Sequence, residues 1–219
     1  MRQFAPEHLA ALAVLAAALV VAVRAPRAIP RRALAAAILG AFLTEYLVNA
    51  FQATWDWGFN LPLQLSDVVA LLAPLALWTA APLLVEIVYF WALTASLQAV
   101  VTPDLNRAFP SVFYFTYFTT HCGVIVAAVL LVFGLNIRPR PGAVGRAFGA
   151  TLLMAAVAGL ADLLTGGNYM FLRAKPAHAS LLSVMGPWPV YIASAAALAL
   201  ILFALLYAIA RHDSRPWLS

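Results

Sequence analysis

The chain has 219 residues, of which 65% are hydrophobic and only 10% are charged, with a mean hydropathy of +0.94. Soluble domains carry about a quarter charged residues, so this composition excludes one. The formal charge of +5 does not mark a nucleic-acid partner, because the arginines gather in short connections between apolar stretches rather than on one basic surface.

Apolar stretches of about 20 residues span the hydrocarbon as helices that satisfy their own backbone. Seven are predicted, near 9–23, 33–52, 61–80, 83–101, 112–135, 147–166 and 188–210. Their connections leave no room for a soluble module. The expected fold class is all-α, a polytopic membrane protein with seven transmembrane helices in a single domain over 1–219. The first stretch follows Arg2 as a signal peptide's apolar run would. Glu7 and His8 precede it, however, and Arg24, Arg27, Arg31 and Arg32 follow at once. That order opposes export of what comes next, and a retained helix is expected. With seven spans, Arg138, Arg140 and Arg146 of the fifth connection and Arg211 and Arg215 of the tail join those four on one side. Arg2, Arg107, Arg173 and Lys175 fall on the other. The positive-inside rule then puts the N-terminus outside and the C-terminus in the cytoplasm.

The second stretch carries Glu45, Asn49 and Gln52 on one helix face. The connection after it holds Trp55, Asp56 and Trp57, suited to an interfacial belt. The third opens with Leu61-Pro62-Leu63-Gln64-Leu65-Ser66-Asp67, Pro62 suiting a first helical turn. Only Ala80-Ala81-Pro82 separates it from the fourth, so a tight antiparallel hairpin is expected. The fourth places Glu86 and Tyr89 towards the cytoplasm and Gln98 towards the outside. Thr102-Pro103-Asp104-Leu105-Asn106 reads as an outer turn. An aromatic run leads into Thr119-Thr120-His121-Cys122 in the fifth, and Asp162 lies near the outer end of the sixth, before Gly166-Gly167-Asn168-Tyr169. The 167–187 connection is the longest and is expected to pack on the bundle or to lie over it as a lid.

At a rise of about 1.5 Å per residue, Glu45, Ser66, Asp67, His121 and Asp162 fall roughly 6–13 Å below the outer interface. Gln64, Asn49, Gln52 and Gln98 share that outer half. Carboxylates, amides, a hydroxyl and an imidazole are thus offered to one outward-facing cavity. Polar side chains also hold membrane helices together, at about 0.6 kcal/mol per contact. Three acids near one histidine exceed what helix adhesion needs, since each ionised acid at depth costs about 2.5–3.5 kcal/mol on insertion scales. Glu86 sits apart and needs its own partner. Cys122, the one cysteine, is read as a packing residue, which leaves no internal disulfide and no thiolate metal cluster. No metal or cofactor is indicated, and the seventh stretch has no lysine for a retinal Schiff base.

Leu61–Asp67, Pro103-Asp104-Leu105, His121, Arg138-Pro139-Arg140-Pro141-Gly142, Asn168-Tyr169-Met170, Lys175-Pro176, Ser180-Leu181-Leu182 and Gly186-Pro187-Trp188-Pro189 together resemble a known family. The chain is similar, over roughly 35–210, to the bacterial YwaF-like integral membrane proteins, relatives of the eukaryotic transmembrane protein 164, an acyltransferase of phospholipid remodelling. The resemblance implies acyl transfer by a Cys and a His on different helices, in a bacterial inner membrane. The family's third-span motif reads Leu-Pro-Leu-His-Leu-Cys-Asp. Here Gln64 stands for the His and Ser66 for the Cys, while His121 falls where the second-helix His is expected. A serine needs an adjacent base where a thiol does not. The resemblance therefore makes His121 the base for Ser66, oriented by Asp67 or Asp162, with Gln64, Asn49 or Asn168 as oxyanion donors. Glu45, Gln52, Gln98 and Tyr169 would line the substrate site. The expected function is acyl transfer or hydrolysis of a lipid ester, with membrane lipids as partners and the oligomeric state open. A small-molecule or proton-coupled transporter using Glu45, Asp67, His121 and Asp162, and a non-catalytic lipid-binding protein, are the alternatives.

Overall fold

A computed structural model describes residues 3–52, 54–103, 105, 109–176 and 180–212. Asp104 and Asn106 of the expected outer turn, together with Arg2, Arg107 and Arg215, lie outside the described residues. Among the described residues every regular element is helical.

Six helices are long and apolar enough to cross a membrane. They are α1 (Pro6–Arg24), α2 (Arg31–Phe51), α4 (Pro82–Trp91) continuing through a π-helical turn (Ala92–Ser96) into α5 (Leu97–Val101), α6 (Val112–Val129) with its own π-helical end (Leu130–Gly134), α7 (Ala143–Thr165) and α8 (Val190–His212). The third predicted stretch, 61–80, forms only the 15-residue α3 (Leu65–Thr79), about 22 Å long. Pro62 does not open this helix. Gln64 caps it with extended backbone, and the Asp67 carboxylate accepts the Gln64 backbone N–H at 3.2 Å, so residues 61–64 form a non-helical lead-in. α3 turns into α4 through Ala80, in the left-handed region at φ 53°, the tight hairpin that the spacing predicts.

α6 is the axis of the bundle and packs against α1, α2, α3, α4 and α5. Gly123 makes the α2 contact possible, because a Cβ there would stand 2.7 Å from Ile38 Cγ1. Most of the second half of α6 is buried, whereas α8 buries only Tyr191, Phe203 and Ala210 fully and leaves Val190, Leu200, Ile201, Leu205 and Ile209 exposed. Phe51, Leu163 and Leu164 are also bare, as expected of surface bathed by lipid rather than water.

Two ends of the bundle differ in chemistry. At the basic end Glu86, fully buried, finds its partners. Arg140 Nε lies 2.8 Å from Oε1, Arg146 Nε lies 2.8 Å from Oε2, and the Arg140 backbone N–H donates to Oε1 at 3.0 Å. Arg146 Nη1 reaches the Pro141 carbonyl, and Arg138 donates to the Ala210 carbonyl at 2.8 Å. One buried acid thus holds the Arg-Pro-Arg-Pro-Gly connection and ties α4 to the start of α7. The polar groups singled out from the sequence gather at the opposite end.

Candidate functional site

The N-terminus of α3 lies at the centre of the polar end. Ser66 follows the cap residue by two and is half-buried, and its hydroxyl makes no hydrogen bond to any described residue. Beside it, Asp67 is held by the Gln64 backbone. Across from α3, Glu45 lies on α2, which packs against both α3 and α6, and the Thr116 hydroxyl of α6 donates to the Phe113 carbonyl at 3.3 Å. Glu45 and Tyr46 near the end of α2 and Asp67 near the start of α3 stand on two helices that pack together. Phe42, Tyr46, Trp55 and Trp57 form a chain of ring contacts at 4.6, 6.1 and 5.6 Å, an aromatic wall beside the acids.

The turn after α7 closes over this end. Asp162 is fully buried and its Oδ1 accepts the Tyr169 backbone N–H at 2.6 Å, while Oδ2 has no partner. The Tyr169 hydroxyl donates to the Trp57 carbonyl at 2.7 Å and accepts the Leu61 backbone N–H at 2.9 Å. Burial, reinforced by the nearby carboxylates of Asp56, Asp162 and Asp67, raises the pKa of this phenol and keeps it a donor. The Met170 backbone N–H donates to Gln64 Oε1 at 2.9 Å. Gly167 meets Gly58 so closely that a Cβ on it would stand 2.5 Å from the Gly58 carbonyl oxygen. The first part of the 167–187 connection is therefore clasped to the lead-in of α3, next to Ser66.

The other predicted site residues divide. Asn168 is spent on its own turn: its Oδ1 accepts the backbone N–H groups of Arg173 and Ala174, and its Nδ2 donates to the Ala174 carbonyl. One Nδ2 hydrogen of Asn168 remains after these bonds. Gln64, with its Oε1 taken by Met170, keeps Nε2 without a protein acceptor. Asn49 Oδ1 lies 3.3 Å from the Thr54 hydroxyl. Gln52 is exposed where α2 ends. Gln98 is exposed on α5 and donates to Thr102 on its own helix at 2.6 Å, apart from the acids. His121 packs its ring against Tyr117 at 4.3 Å, and its buried Nδ1 has no partner. No hydrogen bond joins it to Ser66, Asp67 or Asp162. Ser96 Oγ of the π-helical turn and Thr120 Oγ1 are likewise buried and unpartnered. Tyr117 donates to the Ala99 carbonyl, a pairing that sets Ser96 and Thr120 at one level of the antiparallel α5–α6 contact.

Two members of the site are absent from the sequence-based set. Tyr46 stacks between Phe42 and Trp55, and Thr116 lies four residues into the fifth span, about 6 Å deep and so in the same outer half as Glu45, which was the signal for it. Among the described residues no group of three His, Cys, Asp or Glu side chains is arranged to hold a metal ion.

Residues 3–207 match the TMEM164 family, nearly the whole chain. The chain belongs to that family. It is also similar to an uncharacterised protein of Treponema pallidum (strain Nichols), 31% identical over 139 residues that make up 62% of this chain and 56% of that relative. The matched part thus spans little more than half of the relative's length. No solved structure matches the chain.

Proposed function

We propose that this TMEM164-family membrane protein acts on a lipid ester, transferring its acyl group to a lysolipid or to water. What supports the reading is reserve hydrogen-bonding capacity on two packed helices. The Ser66 hydroxyl at the head of α3 and the His121 imidazole on α6 both lack protein partners. A buried nitrogen without a partner, such as His121 Nδ1, is rare enough to need an explanation, and a substrate or bridging water supplies one, while the half-buried Ser66 hydroxyl is free to meet it. Catalytic hydrogen bonds also tighten only once substrate is in place.

In this scheme the Ser66 oxygen attacks the ester carbonyl carbon, and its proton passes to His121, directly or through one water. Charge that develops on the carbonyl oxygen is met by Gln64 Nε2 and by the positive end of α3. The alkoxide leaves with the proton from the imidazolium, and Ser66 carries the acyl group. A lysolipid hydroxyl or water then attacks that ester, giving its proton to His121 and restoring the serine. Neither Asp67 nor Asp162 holds the imidazole here. Asp67 supports the cap of α3 and Asp162 the turn that covers it, so both act by positioning.

The polar end faces outwards in this reading, the basic end faces the cytoplasm of a bacterial inner membrane, and α3 counts as a seventh, shortened span. In a lipid-ester assay of the purified chain, Ser66→Ala and His121→Ala each lower turnover by at least about 10³-fold while the protein stays folded. Wild-type turnover in either variant rejects the pair. A second reading is a proton-coupled carrier, favoured by Glu45 and Asp67 standing on the packed helices α2 and α3. Uptake into proteoliposomes that survives Ser66→Ala and fails in Asp67→Asn identifies that one.

A further inference from the structure

Near the basic end, α2 and α3 part. A cavity of about 280 Å³ lies between them, lined by Ala35, Ala36 and Leu39 of α2 and by Pro74 and Trp78 of α3, with Arg31 and Arg32 at its mouth. Small side chains on α2 and the compact ring of Pro74 leave this space unfilled. Its walls are almost wholly apolar, yet its rim carries two guanidinium groups.

Those two arginines differ from others at the same end. Arg140 and Arg146 are spent on Glu86, and Arg138 donates to the Ala210 carbonyl. Arg31 and Arg32 are exposed and pair with no described acid. Trp78 stands beside them, 71% exposed, with an indole N–H that makes no protein hydrogen bond. Tryptophan sits where headgroups meet acyl chains, and its N–H bonds the polar side. A guanidinium pair with no acid partner fits a phosphate, which it grips through forked hydrogen bonds. The cavity is smaller than the roughly 300–1,000 Å³ of sites that engulf a drug-sized molecule. It suits one chain of a lipid whose remainder stays in the bilayer.

We propose that this groove binds one anionic phospholipid of the leaflet at the basic end. Arg31 and Arg32 hold its phosphate, and one acyl chain runs past Ala36 and Leu39 against Trp78. Arg31 and Glu45 lie 14 residues apart on α2, about 21 Å, so this site is separate from the polar cluster and does not depend on its chemistry.

The test uses the full chain in phosphatidylcholine nanodiscs doped with phosphatidylglycerol whose chains are brominated, reading tryptophan quenching. Brominated phosphatidylglycerol is expected to quench more than brominated phosphatidylcholine at equal mole fraction. Trp78→Phe removes that excess and so identifies the reporter. Arg31→Gln with Arg32→Gln weakens the preference about thirtyfold. Ala36→Phe, which leaves the charges in place, lowers quenching by either lipid because it fills the groove. If the glutamine pair does not insert, Arg31→Lys with Arg32→Lys takes its place and is expected to keep a reduced preference. Equal quenching by the two lipids overturns the proposal, as does a preference unchanged in the arginine variants. Quenching indifferent to Ala36→Phe removes the chain from the groove. Loss of the preference on adding millimolar inorganic phosphate makes the site one for a soluble anion and overturns the lipid.

Discussion

Glu86 and Asp162 are both carboxylates at 1% exposure near the ends of apolar helices, and their surroundings give them different work. Glu86 receives N–H groups from two arginine side chains and one backbone amide, so its desolvation is offset by short charge-assisted bonds. Removing it leaves guanidinium groups that are 48% and 36% exposed and able to rehydrate, which puts the cost at the lower end for a broken buried pair. Glu86→Ala is expected to lower stability by about 3 kcal/mol, read as a drop in thermal midpoint in detergent, with no change in lipid-ester turnover beyond the folded fraction lost. Ser66 and His121 present the opposite case, since their hydrogen-bonding capacity is unspent. For them a large loss of turnover at unchanged stability is the expected signature, and it separates chemistry from architecture.

At the scale of elements, the clasp between the end of α7 and the lead-in of α3 is the feature that shapes the polar end. It rests on Asp162 holding the Tyr169 amide, on Tyr169 bridging Trp57 and Leu61, and on Gln64 holding Met170. Asparagine at 162 still offers an oxygen to the Tyr169 N–H, whereas alanine offers nothing and leaves a buried amide unpaired, at about 1–3 kcal/mol. Asp162→Asn should therefore keep near-normal resistance to proteolysis at the 167–187 connection, and Asp162→Ala should be cleaved there several-fold faster. A carboxylate needed for proton transfer gives a different pattern, with turnover lost in the asparagine variant while the clasp stays intact. The shortened α3 has the same origin. Its lead-in gives up helical hydrogen bonds because Tyr169, Asp67 and Gln64 supply others.

For the whole molecule, seven crossings put the two termini on opposite sides of the membrane, and six crossings put them on the same side. In a Cys122→Ala background, single cysteines at the exposed Gln3 and His212 are expected to label from opposite faces with a membrane-impermeant thiol reagent: Gln3 in intact cells and His212 only after the membrane is opened. Labelling of both from one face removes α3 from the count of crossings.

Much of this architecture was legible in the chain alone. The six long helices begin and end within four residues of the predicted stretches, because an apolar run bounded by arginine, proline or glycine has only helical ways to satisfy its backbone in hydrocarbon. The Ala80 hairpin followed from a three-residue connection. Depth along each axis was legible too, since it follows from counting residues from the end of a helix. Rotation about each helix axis was not. Gln98 lies at a suitable depth but turns away to Thr102, and His121 turns to Tyr117 rather than to Asp67 or Asp162. Nearly every residue of these helices is apolar, so no polar stripe marks which side meets a neighbour. Hydropathy and charge order thus determined that the chain is a helical membrane protein and where its polar groups stand along the axis. Partners across helices, such as Arg140 and Arg146 for Glu86 and the Tyr169 bridge to Leu61, were decided by tertiary packing, because each pairs residues far apart in the chain whose meeting depends on how α7 is turned against the rest.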